Sequence, residues 1–209
     1  MGADPVEIVA AGYDRVADGY ERLEAPSAEW PRLRRLRALL ADVPEGGAVL
    51  DLGCGNGLPA LREISKRHVA TGLDVSRVQA ERARRNVPEA HVLRGDMAAA
   101  AFEDGSFDAI VSFYAIEHVP RERHRSLFCR LHGWLSPGGL LLFTVEARAT
   151  HEATGEWLGA PMFFSQFGLE ETIELVRAAG FAVESAEVEA QIEGGTEIDY
   201  LWVRAKRPR

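Results

Sequence analysis

The stretch that most constrains this chain is Val49-Leu50-Asp51-Leu52-Gly53-Cys54-Gly55-Asn56-Gly57. Residues 48–52 form a short apolar run carrying one acid, the pattern of a buried strand. Three alternate glycines follow, then Leu58-Pro59-Ala60-Leu61, where Pro59 suits the first turn of a helix. Glycine has no Cβ, so the chain can turn tightly and a ligand can lie against its backbone. Strand, glycine turn and helix together make a nucleotide-binding corner.

Glycine spacing narrows the choice of nucleotide. A dinucleotide fingerprint, G-x-G-x-x-G, puts its third glycine where the helix packs on the strand. Here that position is Leu58 and the third glycine comes one residue early, which disfavours an NAD-dependent oxidoreductase. The pattern D-x-G-x-G-x-G, with the acid ending the strand, resembles the first motif of the class I methyltransferases that use S-adenosylmethionine. That cofactor carries a cationic sulfonium and ammonium and no pyrophosphate, and an acidic strand end suits it. By this resemblance Asp51, Gly53, Cys54 and Gly55 contact the cofactor. The resemblance also implies one α/β domain over residues 1–209. Its sheet would be doubly wound, mostly parallel and seven-stranded, in the order 3-2-1-4-5-7-6, with helices on both faces and an antiparallel C-terminal hairpin.

Length and charge agree with that reading. A chain of 209 residues fits one domain with a sizeable core. The net charge of -8 argues against nucleic acid, which needs a basic face. Cys54 and Cys129 support neither a disulfide framework nor a zinc site. No N-terminal segment reads as a signal and no run reaches membrane-spanning length, so a cytoplasmic protein with no membrane partner is expected. A homodimer is left open.

At the N-terminus, Val6, Val9, Tyr13, Val16, Tyr20 and Leu23 recur every three or four residues, forming one helical face. The segment 13–20 is similar to the opening of many small-molecule methyltransferases, where aromatic hydroxyls fold over the cofactor. Tyr13 and Tyr20 are therefore cofactor candidates, or else members of a core stripe. A second helix over 30–40 turns Leu33, Leu36 and Leu40 inward. Its arginines, Arg32, Arg34, Arg35 and Arg37, read as a solvated face. Together residues 1–42 would cap the domain.

After the corner, residues 69–75 read as a second strand ending at Asp74 and Val75. An acid there, about 20 residues past the glycine turn, can accept from both ribose hydroxyls. Ser76-Arg77-Val78-Gln79 reads as a capping box for the next helix. A third strand at 91–94 leads into Gly95-Asp96-Met97, which resembles the family segment framing the adenine: Asp96 would take the exocyclic amine and Met97 would cover the ring. The fourth strand, 107–113, lies beside the first by the implied order. Ser112, Phe113 and Tyr114 would then border the methionyl half of the cofactor and the methyl acceptor.

Ser-Phe-Tyr-Ala-Ile-Glu-His follows the fourth strand. Relatives that methylate nucleic-acid bases or protein amides carry Asn/Asp-Pro-Pro-Tyr there, so a small-molecule substrate is implied. Glu117-His118-Val119 resembles a segment of ubiquinone-type O-methyltransferases. In those a further glutamate, three residues before the Glu-His pair, helps hold a divalent metal. Tyr114 occupies that place and no metal is expected. His118 and Tyr114 are the catalytic candidates, His118 as a general base because imidazole titrates near neutrality, or as a structural anchor.

Pro120 opens a helix, and the Leu-x-Pro-Gly-Gly-x-Leu pattern ending at Leu141 resembles a further mark of the family, leading into a strand over 140–145. Residues 147–168 hold Trp157, Met162, Phe163 and Phe164 with no clean period and read as an aromatic lid that binds substrate, or a satellite cluster under a loop. A helix over 169–179 and a hairpin of 181–190 with 198–205, turning at Gly194-Gly195, complete the chain. The implied activity is methyl transfer from S-adenosylmethionine, with S-adenosylhomocysteine as product, to an oxygen or nitrogen of a small metabolite. A methyltransferase-fold protein that binds the cofactor but runs another reaction, or regulates a partner, is the alternative.

Overall fold

The computed structural model describes residues 4–23, 31–193 and 195–209, and for 20–23 the backbone alone. Two helices lead, α1 (Pro5–Leu23) and α2 (Pro31–Leu40). Then come β1 (Ala48–Leu52), α3 (Ala60–Ile64), β2 (Val69–Asp74), α4 (Arg77–Asn86), β3 (His91–Arg94), β4 (Phe107–Phe113), α5 (His124–Trp134) and β5 (Leu135–Glu146). The chain ends with β6 (Thr150–Trp157), β7 (Ala160–Gln166), α6 (Leu169–Ala178), β8 (Ala182–Glu193) and β9 (Thr196–Lys206).

Seven strands form one sheet in the order β3-β2-β1-β4-β5-β9-β8. The first five are parallel, and β9 runs antiparallel to both β5 and β8. With the last two strands counted as sixth and seventh, this is the expected order. Alternate residues of each buried strand feed opposite faces, as the period of two requires. Val49 and Val111 pack under α2, α3 and α4 through Leu36, Leu61 and Ala83. Leu50 and Ile110 pack under α5 and α6 through Phe128, Leu131 and Val176. After β1 the chain steps outward to β2, and after β4 it steps the other way to β5. Between the carboxyl ends of β1 and β4 this leaves a crevice, where open α/β sheets seat ligands.

Four expectations are corrected. Residues 150–166 form a second, two-stranded sheet instead of an irregular lid. Its tight turn is Leu158-Gly159, both at positive φ (51° and 81°), a mirror-image turn that the Leu-Gly pair does not advertise. Leu135 already pairs with Phe107, so the strand expected at 140–145 begins before the Pro-Gly-Gly segment, with a register shift. A 3-10 turn (Arg121–Arg123) stands between Pro120 and α5. Lastly, the arginines of α2 form a solvated face only in part: Arg34 and Arg37 are exposed and pair with Glu189 and Glu63, whereas Arg35 is largely covered on Glu189 and Arg32 lies buried with its guanidinium 5.0 Å from the Tyr114 ring centre.

Candidate active site

The glycine corner is fixed by backbone contacts with β2. The N–H groups of Gly53 and Cys54 both donate to the Leu73 carbonyl, at 2.8 and 3.1 Å. Gly53 has φ 76°, and a Cβ there would stand 2.3 Å from the Cβ of Ala115, so a side chain is excluded on two counts. Gly57 (φ 81°) sits on α4, where a Cβ would meet Val87 at 3.0 Å.

Asp74 ends β2 and closes the corner. Its Oδ2 accepts from the Gly55 N–H and its Oδ1 from the Ser76 N–H, both at 2.8 Å. The capping box therefore forms by half. Ser76 Oγ accepts from Gln79 N–H, but Asp74, not Gln79, takes the Ser76 N–H. Burial pushes the Asp74 carboxyl up to about 6, with the Asp14 carboxylate adding to the rise. Asp14 comes from α1 and accepts from Ser76 Oγ and the Val78 N–H, so α1 helps cap α4 across the mouth of the corner.

Above the corner lies a partly open cavity of about 690 Å³, the solvent-filled space at its mouth included. Among the expected cofactor residues, Tyr13, Gly53, Gly55, Asp74, Val75, Asp96, Met97 and Phe113 line it. Asp51, Cys54 and Ser112 do not. They are buried behind its wall, where Ser112 Oγ donates to the Leu52 carbonyl and ties β4 to β1. The side chain of Tyr20 lies outside the described residues. Asp96 accepts from the Ala98 N–H at 2.8 Å and pairs with Arg123 at 3.0 Å. Val6 and Val9, also on this wall, come from the apolar face of α1, whose periodicity marks them only as core.

Beyond β4 the chain makes a strained step. Tyr114 has φ 53°, a left-handed conformation uncommon for a bulky residue. Its hydroxyl donates to Gln191 Oε1 at 2.8 Å and its ring meets Tyr200 edge-on at 4.8 Å, contacts that hold the strain. The 3-10 turn Ile116–His118 follows. His118 Nδ1 lies 2.8 Å from the Phe163 carbonyl, which can only accept, so Nδ1 carries the proton. Nε2 then accepts from the Tyr13 hydroxyl at 2.8 Å. Burial pushes this imidazole down to about 4, so it is neutral at physiological pH. One side chain thereby ties the turn to α1 and to β7, the anchoring role weighed for it from sequence.

A second cavity, open to solvent and about 1,460 Å³ with its mouth included, adjoins the first. Tyr13, Tyr114 and His118 line both, so these three form the partition between them. Trp157 and Phe164 line the second cavity. Met162 and Phe163 line neither, being packed with Val9 where α1 rests on the hairpin. α1 approaches so closely there that a Cβ on Gly12 would stand 2.7 Å from the Pro161 carbonyl. Sequence reasoning missed Glu117, Glu146 and Glu193 on the walls of this cavity. Glu117 accepts the Glu146 N–H at 2.9 Å, and burial pushes its carboxyl up to about 8, helped by the Glu146 and Glu193 carboxylates. Glu117 had been noticed only as half of a motif, and the other two come from strands with no local signal.

With this geometry in view, the comparisons are direct. Residues 49–139 match a family described as a methyltransferase domain. The chain is 30% identical over 196 residues to 27-O-demethylrifamycin SV methyltransferase of Amycolatopsis mediterranei (strain S699), covering 84% of this chain and 66% of that protein. It spans about half to two thirds of the length of the first curated relatives it matches. A crystal structure of an S-adenosylmethionine-dependent methyltransferase from Mesorhizobium loti superposes with TM-score 0.69 at 26% identity, covering 87% of this chain and 98% of that one. The [4+2]-cyclase SpnF shares the fold at TM-score 0.72 and 20% identity, over 95% of this chain and 94% of that one. Glycine corner, acidic tip of β2, strand order and matched family agree, and the chain belongs to the class I S-adenosylmethionine-dependent methyltransferases.

Proposed function

We propose that this protein binds S-adenosylmethionine in the first cavity and passes its methyl group to an oxygen or nitrogen of a small molecule held in the second. The single observation carrying this reading is that the two cavities adjoin and share one partition, Tyr13, Tyr114 and His118. A donor and an acceptor seated on either side would meet there.

The residues of the first cavity fit the donor. Asp74 stands on the wall with each carboxylate oxygen engaged by one backbone N–H, which leaves further acceptor capacity for a ribose diol. Val75 and Met97 supply apolar surface for the adenine, with Asp96 beside them. Gly53, which cannot carry a Cβ, lets the methionyl portion pass along the backbone toward Tyr13 and Phe113. Asp51, expected to touch the cation, is buried and does not line this cavity. S-adenosylmethionine supplies an electrophilic methyl carbon on a sulfonium, whose sulfur leaves as a neutral thioether.

What the chain itself contributes is chiefly position. Holding two reactants in line at contact distance is worth about 7–11 kcal/mol. His118 is a poor free base, because its Nε2 lone pair already accepts from Tyr13 and its pKa lies far below neutrality. Its part is to fix Tyr13 and the hairpin around the point of transfer.

Calorimetry with S-adenosylhomocysteine is the first test, and saturable micromolar binding is expected. Incubation with S-adenosylmethionine and a panel of small alcohols, phenols and amines, read by intact product mass, should show the gain of one methylene. Absence of nucleotide binding refutes the donor site. Binding without any methylated product, or with a rearranged isomer, favours a non-methylating reaction on the same fold.

A further inference from the structure

The second cavity is lined by three glutamates, and their hydrogen bonds differ in a way that points to a ligand. Both oxygens of Glu193 are engaged: Oε1 accepts from Trp157 Nε1–H at 2.8 Å and Oε2 from the Tyr200 hydroxyl at 2.6 Å. Both oxygens of Glu146 are engaged as well, Oε1 by Arg148 at 3.3 Å and Oε2 by Gln166 Nε2 at 3.1 Å. Glu117 is 6% exposed and its Oε2 accepts from the Glu146 N–H. Among the described residues nothing donates to its Oε1, on a side chain that lines the cavity. One open acceptor thus stands buried on the cavity wall, with two further carboxylates beside it.

We propose that Glu117 is the acceptor-binding residue and that it takes an amine, as its ammonium ion, through Oε1. This rests on the two-cavity reading above and narrows the acceptor to a nitrogen compound. Glu193 holds only neutral donors, so its charge stands uncompensated beside Glu117, while that of Glu146 is shared with Arg148 at the exposed rim. An N–H donor that is also charged gains most in such a place, since charge-assisted hydrogen bonds are about twice as strong as neutral ones. A carboxylate or phosphate would be repelled by the same groups.

The cations in the cavity do not remove this preference. Arg148 belongs to the rim, with its side chain 83% exposed and paired to Glu146. Arg32 reaches in from α2 and stacks on the Tyr114 ring. His118, on the same turn as Glu117, is neutral. Tyr200 on β9 donates to Glu193, so it too is neutral. Trp157 and Phe164 form apolar walls, which suits an amine on an apolar body.

Burial holds Glu117 protonated at neutral pH, so an arriving ammonium must displace that proton to solvent. The bound ammonium can later return a proton to Oε1, leaving the neutral nitrogen with the lone pair that transfer requires. Atoms and charge balance at both steps: one proton leaves the carboxyl on binding, and one leaves nitrogen for the carboxylate afterwards.

The test uses 2-phenylethylamine, with 2-phenylethanol and 3-phenylpropionate as neutral and anionic counterparts. Each is titrated calorimetrically into the full chain, with and without S-adenosylhomocysteine, in buffers of different ionisation enthalpy. The amine should bind about tenfold more tightly than the alcohol. It should release close to one proton per site at pH 7 and almost none at pH 9. Glu117→Gln should abolish both the proton release and the preference for amine, while S-adenosylhomocysteine binds as before. The wild-type proton balance stands even if the variant folds poorly. Equal binding of alcohol and amine, preference for the acid, no detectable amine binding at millimolar concentration, or no proton release in the wild type overturns the proposal. Failure of S-adenosylhomocysteine to bind counts against the donor reading alone, because the amine preference is read on either form.

Discussion

The two cavities were built in different ways from one chain. The cavity proposed for the donor takes much of its wall from short local motifs, namely the glycine corner after β1, the acid at the tip of β2 and the Gly-Asp-Met turn after β3, with α1 and the turn after β4 completing it. The cavity proposed for the acceptor is assembled from α1, α2, the turn after β4, the end of β5, both strands of the hairpin, and β8 and β9. Its glutamates lie far apart in sequence and meet only because β5, β9 and β8 are neighbours in the sheet. A cofactor common to a family can be bound by a contiguous code. An acceptor that differs from one relative to the next is bound by whatever the edge of the fold presents.

The largest expected effect breaks the donor side alone. Asp74→Ala removes the acceptor of two backbone N–H groups and the seat for the ribose hydroxyls. Hydrogen bonds to a charged group are each worth about 1.5–3 kcal/mol, so S-adenosylhomocysteine affinity should fall by at least about 100-fold. Calorimetry reads the loss. If the variant bound the nucleoside as the wild type does, the donor cavity would lie elsewhere.

Legibility follows the same division. Asp74, Val75, Asp96 and Met97, which line the first cavity, were legible because each stands at or just past the end of a strand, and strand periodicity is visible in apolar residues. Asp51 and Ser112, expected beside them, do not line that cavity: motif position names the corner without saying which side chains reach its surface. The hairpin of residues 150–166 was unreadable as strands. β6 is Thr-His-Glu-Ala-Thr-Gly-Glu-Trp, exposed along its whole length but for its two ends, so no apolar alternation marks it. Its turn, Leu158-Gly159, lacks the Asn-Gly or Asp-Gly that usually signals such a connection. Glu117 was legible as a residue and illegible as a site, since its partners Glu146 and Glu193 are set by pairing across β5, β9 and β8.

The seam between the regions is the next place to press. α1 rests on the hairpin at Gly12, where a Cβ would meet both the Pro161 carbonyl and the Met162 side chain at under 3 Å. Gly12→Val should lever α1 off the hairpin and strain the Tyr13–His118 hydrogen bond. Overpacking of this kind costs about 1–3 kcal/mol, and at this chain length about 2–4 °C of Tm per kcal/mol. Both cavities should suffer, because Tyr13 lines each. An effect confined to nucleotide affinity would show that α1 serves the donor side alone.

Acidity separates the cavities by a smaller margin. Asp74 is raised to about 6 and must be ionised to accept two ribose hydroxyls. Donor affinity should therefore be flat from pH 8 to 7 and fall by about tenfold per unit below pH 6. Stability of the free protein runs the other way. A carboxyl with a raised folded pKa contributes most below the ordinary carboxylate range, and that contribution is lost as pH rises through about 6. Affinity and Tm measured over the same series should cross in sign, and parallel curves would remove Asp74 as their common cause.

Glu117 supplies the smallest effect, and one with an unusual sign. Its carboxyl titrates near 8 in the folded chain and in the ordinary carboxylate range when unfolded, so its stabilising contribution is full at low pH and is lost as pH rises through about 8. Glu117→Gln keeps an oxygen to accept the Glu146 N–H and removes the cost of ionising a buried carboxyl beside Glu146 and Glu193. At pH 9 the variant should melt above the wild type by about 2–4 °C, for a gain of about 1 kcal/mol, and at pH 4 the two should melt together. A functional carboxyl is retained at a cost in stability, so a variant that gains Tm while losing the amine preference would mark Glu117 as kept for binding. A variant that loses Tm equally at both pH values would mark it as a structural tie between the turn and β5, and the acceptor side would then have no charged anchor of its own.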